Sequence, residues 1–358
     1  MTRTALPRPT LLPGLARLWR DPHTLQLGLD PRHAVLLELA DPGAARLLDL
    51  LDGTRSERMV LDQAVRLRVQ RDDARTLIDT LRAAGLVVGA QSLLPADLPE
   101  PDRRRLAGEA TAIALLGPDA PATPAQLLRR RRAARVVVTG QGRLAGPVAL
   151  ALAQAGVGHV HPDLAGRVEP VDVVGGGVVT ADLHRPRAEA ITDAINRTAP
   201  GTETRPVRRG RASLVIQVGT DRPASLLAAG YAQRRQAHLL LSLHDGVPVV
   251  GPLVGARGTP CLNCRDLHRR DRDPGWPELA AQLAAEPAGQ ACSTPTLIAA
   301  VGYAAGEVLT FLDGGTPETV GAAVEIRTPG RFRRRTWPPH PACGCSSRRP
   351  GRRSERTQ

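Results

Sequence analysis

The 358-residue chain contains no lysine; all 48 of its basic residues are arginine. Chemistry that needs an ε-amine is therefore excluded. Aromatic residues are scarce at 2 %, so hydrophobic cores must be built from Leu, Val and Ala. The same scarcity argues against a nucleic-acid surface, which needs basic side chains interleaved with aromatic ones. No uninterrupted apolar run approaches the ~20 residues of a membrane span. The N-terminal stretch has arginines and prolines but neither the apolar region nor the cleavage site of a secretion signal, so the expected compartment is the cytosol. Five cysteines in such a setting read as metal ligands or reactive thiols before disulfides. Acidic charge is in deficit: the net charge is +13. That favours anionic partners such as a nucleotide or an acidic peptide. The simpler reading puts the excess in Arg129–Arg132, around Arg331–Arg335 and in a disordered basic tail, 346–358.

The length suggests about two domains. The most informative stretch is RVVVTGQGRLAGPVALALAQAGVGHV, Arg135–Val160. A β-branched run meets Gly140 and Gly142, and an Ala/Leu-rich helical pattern follows. This is the strand, tight turn and helix that open a nucleotide-binding βαβ unit. Glycine lets the backbone turn sharply and approach a phosphate, and the helix N-terminus offers unpaired N–H groups to it. The competing reading is an ordinary βα turn. Asp163 lies 21 positions past Gly142, close to the ~20 at which an acidic residue takes ribose hydroxyls. Alternatively it is a turn residue after Pro162. Further βα repeats are expected from Ala188–Asn196, Leu214–Val218, Ala224–Gln236 and Leu239–Leu243. They predict an α/β fold with a mainly parallel sheet, and Asp221 follows one of its strands.

Residues 1–90 predict a small α+β domain. Leu25, Leu27 and Leu29 alternate as in a half-buried strand, and Ala34–Leu39 gives a hairpin partner. Helices are expected over Gly43–Leu51, from Ser56 as N-cap, and from Asp72 or Asp73 with Ala74, Leu77, Ile78 and Leu81 on one face. Residues 91–134 read as a linker with a crossover helix. Cys261 and Cys264 (C-L-N-C) and Cys343 and Cys345 (C-G-C) offer four soft thiolates in tetrahedral number, which suits structural zinc; His340 is the substitute ligand if one sulfur cannot reach. Unrelated reduced thiols are the alternative. Cys292 precedes an apolar helix, about Pro295–Leu312, whose N-terminus could activate a thiol; more often such a residue is merely packed.

The segment LLDLLDGTRSERMVLDQAVRLRVQRDDARTLIDTLRAAGLV resembles the PqqD-like winged-helix domains that bind leader peptides as an added strand. A DNA-binding or purely structural winged helix is the competing reading. Residues 127–345, with the glycine turn, T-P-C-L-N-C, the apolar helix and the second cysteine pair in order, resemble the ThiF/E1 family. That resemblance implies a Rossmann-like domain at 135–345, Mg-ATP, a zinc between two cysteine pairs, and a homodimer. Together the two modules resemble ThiF-like cyclodehydratase proteins of ribosomal-peptide pathways, which present a precursor peptide to a YcaO-type partner. By the same resemblance Gly140, Gly142, Asp163, Arg187 and Asp221 would hold the nucleotide, with Asp221 and Arg187 nearest the chemistry. The departures are Arg143 in a usual glycine place, no Asn-Arg pair after Asp163, and Arg187 where a lysine is usual. They predict a scaffold or weakened adenylating unit; the alternative is a working adenylyltransferase acting on a C-terminal carboxylate.

Overall fold

The computed structural model describes residues 5–30, 34–115, 122–208, 210–219, 223–255, 259–285 and 291–345. Asp221 and the basic tail, 346–358, lie outside them. The chain divides into two compact units, 1–129 and 130–358.

In the first unit, β1 (Pro9–Leu11) pairs antiparallel with β5 (Val87–Gly89), and β2 (Arg17–Trp19), β3 (Thr24–Leu27) and β4 (Val35–Glu38) form a second antiparallel sheet. The hairpin expected from the alternating leucines is β3–β4, with Leu25, Leu27 and Leu37 buried. The stretch Pro42–Leu50 is a 3-10 helix. Helix α1 (Glu57–Arg66) is capped by Ser56, whose Oγ accepts the Met59 N–H at 3.3 Å. Helix α2 (Arg71–Ala83) buries Ala74, Ile78 and Leu81 against α1.

The stretch 91–134, expected as a linker with a crossover helix, holds three helices: α3 (Ala90–Leu93), α4 (Glu100–Leu115) and α5 (Pro124–Ala133). Leu93, Leu98, Leu106, Ala110 and Leu128 bury together with Leu12. Helix α4 starts ahead of its apolar residues. Pro101 is tolerated in a first turn, and the pairs Glu100–Arg104 and Asp102–Arg105 support the polar start at helical spacing.

The second unit runs β6 (Arg135–Gly140), α6 (Ala145–Gln154), β7 (His159–Leu164), α7 (Pro170–Val173), α8 (Arg187–Thr198), β8 (Leu214–Val218), α9 (Ala224–Gln233), β9 (His238–His244), β10 (Val247–Val254), α10 (Leu262–Arg272), α11 (Trp276–Ala285), α12 (Thr294–Asp313), β11 (Ala322–Thr328) and β12 (Arg331–Thr336). Seven strands form one sheet in the order β12-β11-β10-β9-β8-β6-β7. The four from β7 to β9 are parallel, as expected, and β10 to β12 extend them antiparallel. The reversal occurs at Asp245-Gly246. Both have positive φ, +51° and +79°, the backbone that a two-residue hairpin requires.

Helices α6, α8 and α12 cover one face; α9 and α10 share a smaller cluster on the other. Leu239 and Leu241 of β9 join the first and Leu240 the second, which is why this strand is apolar without alternation. Helix α12, expected at about Pro295–Leu312, is long and apolar enough, by length and composition, to cross a membrane. Here it packs into the core through Leu297, Ala300, Ala304 and Val308. Its buried Glu307 accepts the backbone N–H groups of Glu318 and Thr319 and the Thr319 hydroxyl. Arg131 and Asp313, both little exposed, form an ion pair at 2.6 Å that ties the end of α5 to the end of α12.

His238 opens β9, 2 % exposed and stacked on Tyr231 with ring centroids 4.2 Å apart. Burial pushes its pKa down to about 4. The unfolded chain therefore binds a proton that the fold refuses, so stability is lost as pH falls from about 6.5 through 4. Equilibrium unfolding across that window should show a loss of roughly 2–3 kcal/mol attributable to this residue, and His238→Asn should flatten the slope.

Candidate functional site

The turn between β6 and α6 lies at the carboxyl end of the parallel strands, where open α/β sheets bind ligands. Gly140 has φ +103°, and a Cβ there would sit 2.1 Å from the Val218 carbonyl oxygen on β8. The Gln141 N–H donates to that same oxygen at 3.1 Å. Gly142 has φ +137°. Only glycine fits the first position, for reasons of space as well as of backbone.

Asp163 is part of β7 and not of a turn. Strand β7 is the sheet's outer strand, which tolerates Pro162. The Asp163 carboxylate is exposed beside the glycine turn, in register with Thr139, and accepts the Thr139 hydroxyl at 3.1 Å. Gly140, Gly142 and Asp163 are thus gathered at one edge.

Arg187 is differently placed. Its guanidinium bonds Asp172 at 2.9 Å and the Ala165 carbonyl at 3.1 Å and is little exposed. Its charge is already matched. Arg143 is buried, and its Nη1 donates to the Cys292 carbonyl at 3.1 Å, so it ties the turn to the segment entering α12. Cys292 is not activated. Burial raises its pKa against the opposing charge of Arg143, its sulfur packs against the main core, and Ser293 occupies the N-cap.

The four remaining cysteines converge at the far end of the sheet. Cys261 caps α10 and Cys264 lies in its first turn; Cys343 and Cys345 come from the loop after β12. Sulfur separations are 3.9 Å (Cys261–Cys264), 3.5 Å (Cys261–Cys343) and 3.2 Å (Cys264–Cys345), and all four lie within 4.8 Å of one another. Four thiolates around one tetrahedral ion at ~2.3 Å would stand about 3.8 Å apart, so the donor set fits. The Asn263 amide and the His340 N–H both donate to these sulfurs. Without a cation the group resists ionising together. Burial and neighbouring thiols push Cys261 up to about 11 and raise Cys345, whereas Cys343, despite its burial, is held to about 7 by hydrogen bonds from Cys345 and Asn263. His340, the expected substitute ligand, has its ring engaged elsewhere: Nε2 on Asp271 at 2.6 Å and Nδ1 accepting the Ala342 N–H.

Sequence reasoning missed a cavity of about 970 Å³ lined by Pro223, Ala224, His244, Arg269, Trp276 and Trp337, among others. Arg269 stacks 4.5 Å over the Trp276 ring. The available signal was two of only three tryptophans in an aromatic-poor chain, one of them seven residues after an arginine on a helix that begins at the first cysteine pair.

A parallel βαβ core with a glycine turn, an acidic residue on the neighbouring strand and an antiparallel extension bearing paired cysteines defines the class: the fold is that of the ThiF-like family. Among solved structures, the chain is similar to E. coli MccB with ATP (14 % identity, TM-score 0.63, covering 94 % of this chain and 99 % of that one). It is similar to the microcin C7 biosynthetic enzyme MccB in complex with N-formylated MccA (14 %, 0.62, 94 % and 99 %) and to PaaA (17 %, 0.62, 90 % and 98 %). No family model and no curated protein sequence matches the chain.

Gly140→Ala should cost about 1–3 kcal/mol of stability for strained backbone plus displacement of β8. Gly176, whose φ is +110° with open space around it, is the control. Chemical denaturation should rank Gly140→Ala as clearly the more damaging of the two.

Proposed function

We propose that this chain is a ThiF-like protein of ribosomal-peptide maturation that binds a precursor peptide and supports its ATP-dependent modification, with a YcaO-type, cyclodehydratase partner completing the chemistry. The observation that carries the reading is that the likeness to MccB covers 95 % of the chain, so a front unit and a ThiF-like unit occur together here as they do in a protein solved with ATP and with its MccA peptide.

The front unit supplies a PqqD-like, winged-helix surface for the leader. Strands β2 and β4 are both sheet edges, and Leu18, Gln26 and Leu36 stand opposite one another in one cross-strand row, with both leucines exposed. An added strand gains backbone hydrogen bonds at such an edge and side-chain contacts on such a row.

In the second unit, Gly140 and Gly142 would let the backbone approach the phosphates, Asp163 would take the ribose hydroxyls, and Asp221 is assigned to the magnesium by the family resemblance alone. Bound ATP supplies the phosphorus electrophile that activates a carboxylate or amide oxygen. Arg187 is committed to Asp172 and no lysine exists, so neither supplies the cation that the α-phosphate needs in such a transfer. That shortage favours the supporting role. Zinc, held by Cys261, Cys264, Cys343 and Cys345, is structural, because four thiolates leave no open position for water. The protein acts in the cytosol as a homodimer.

A standalone adenylyltransferase is the second reading, favoured by the same likeness to MccB. ATP–pyrophosphate exchange with the precursor encoded beside this gene separates the two. Peptide and ATP binding with little exchange until the partner is added supports the first reading; robust exchange by the chain alone, abolished in Asp221→Ala, replaces it with the second. Metal analysis should find about one zinc per chain, and Cys264→Ser should lose it together with several kcal/mol of stability. A metal-free chain of undiminished stability would refute the zinc site.

A further inference from the structure

The cavity beside α10 and α11 is rich in hydrogen-bond donors that lack acceptors. Of its arginines, Arg265 is paired with Asp266 at 3.3 Å and Arg335 with Glu325. Arg272 donates only to the His268 carbonyl, at 3.1 Å. Among the described residues Arg269 has no carboxylate within ion-pair distance; its face is covered by Trp276. That stacking leaves the guanidinium edge, with its N–H groups, available in the plane. Two acidic residues on the wall are placed for other duties: Asp273 accepts the Gly275 N–H at 3.0 Å and Asp245 sits at the exposed hairpin tip. The indole N–H groups of Trp276 and Trp337 are both buried without a partner. The two rings line the space, but their N–H groups have no surface open to it, so the donors offered to a ligand are the two guanidinium edges.

The local potential agrees with this geometry. Burial lowers the pKa of Arg269 to about 10, and the charges of Arg265, Arg272 and Arg335 push the same way. His244 is lowered by burial and by Arg269 and Arg265. An anion in the cavity would relieve both.

We propose that this cavity is a subsite for acidic side chains of the peptide substrate, with Arg269 and Arg272 gripping carboxylates. The inference rests on the peptide-modifying reading above and adds a substrate class to it. A peptide suits the walls better than a phosphate does. Leu283, Ala280 and Val249 give apolar contact that a small hydrated anion cannot use, and carboxylate matches the planar fork of arginine. The nucleotide is accounted for elsewhere, because no residue of the glycine turn lines this space. The cavity opens beside Pro223 and Ala224 at the start of α9.

The test is a fluorescence titration of the full-length protein in a Trp19→Phe background, so that the signal comes from Trp276 and Trp337. Two probes are used, an acetylated and amidated pentapeptide with two adjacent glutamates and its two-glutamine isostere; inorganic phosphate at matched ionic strength is the competitor. The glutamate peptide should bind about tenfold or more tightly than the isostere, as charge-assisted pairing implies. Arg269→Gln should erase that preference and leave isostere binding unchanged, and Arg272→Gln should reduce it. Equal binding of the two peptides, or a preference that survives both substitutions, overturns the proposal. Phosphate displacing the glutamate peptide at equal concentration reassigns the site to phosphate and overturns it too. No ATP is present, so the outcome is independent of the exchange assay: discrimination without any ATP-dependent modification sinks only the functional reading, and modification without discrimination sinks only this one.

Discussion

The approach of Gly140 to the Val218 carbonyl is the constraint on which the rest of the second unit depends. The end of β6 lies so close to β8 that no side chain fits between them. That closeness bends the chain sharply into α6, keeps the helix start free of side-chain caps, and leaves an open edge where Asp163 meets the turn. A wider turn would have spoiled the parallel pairing of β6 with both neighbours, and with it the single edge at which Gly140, Gly142 and Asp163 gather.

Charge in this protein is positive but not diffuse. The arginines examined at the sites fall into two sets. Arg131, Arg185 and Arg187 are matched to Asp313, Asp182 and Asp172 and act as braces. Arg269 and Arg272 line the open cavity beside α10 and α11 without such matching. The composition cannot separate these sets, because a guanidinium in a brace and one in a binding wall are the same letter. The difference comes from which acidic residue the fold delivers to each.

Much of the architecture was legible for local reasons. Ser56 capped its helix because a hydroxyl at that position satisfies an orphan N–H. The run Val136–Val138 was a strand because β-branched residues fit a pleated, fully buried position. The cysteine convergence was readable from ligand type and spacing across a gap of nearly eighty residues. Other features were readable but passed over: Asp245-Gly246 between two apolar runs is a hairpin signal, and it accounts for the antiparallel extension that the parallel reading omitted. Of 91–134 one crossover helix was legible; the extent of the other helical turns was hidden by prolines and charges, which look like a linker until Leu12 and Leu128 are seen to share their core. The engagement of Arg187 was not legible because its partner, Asp172, is fifteen residues away across a loop. The cavity was beyond reach, since it is formed by pieces of α9, α10, α11 and three strands that only the fold assembles.

The sulfur cluster also closes a ring. The chain from Cys261 passes through α10, α11, α12, β11 and β12 before returning to Cys343 and Cys345, so the outermost strand is held at its exit as well as along its length. Strand β12 is exposed throughout and carries four arginines; by itself it is a sheet margin poorly suited to staying put. The convergence of the four sulfurs sets its downstream end beside the start of α10, so the two ends of the antiparallel half of the unit meet at one point.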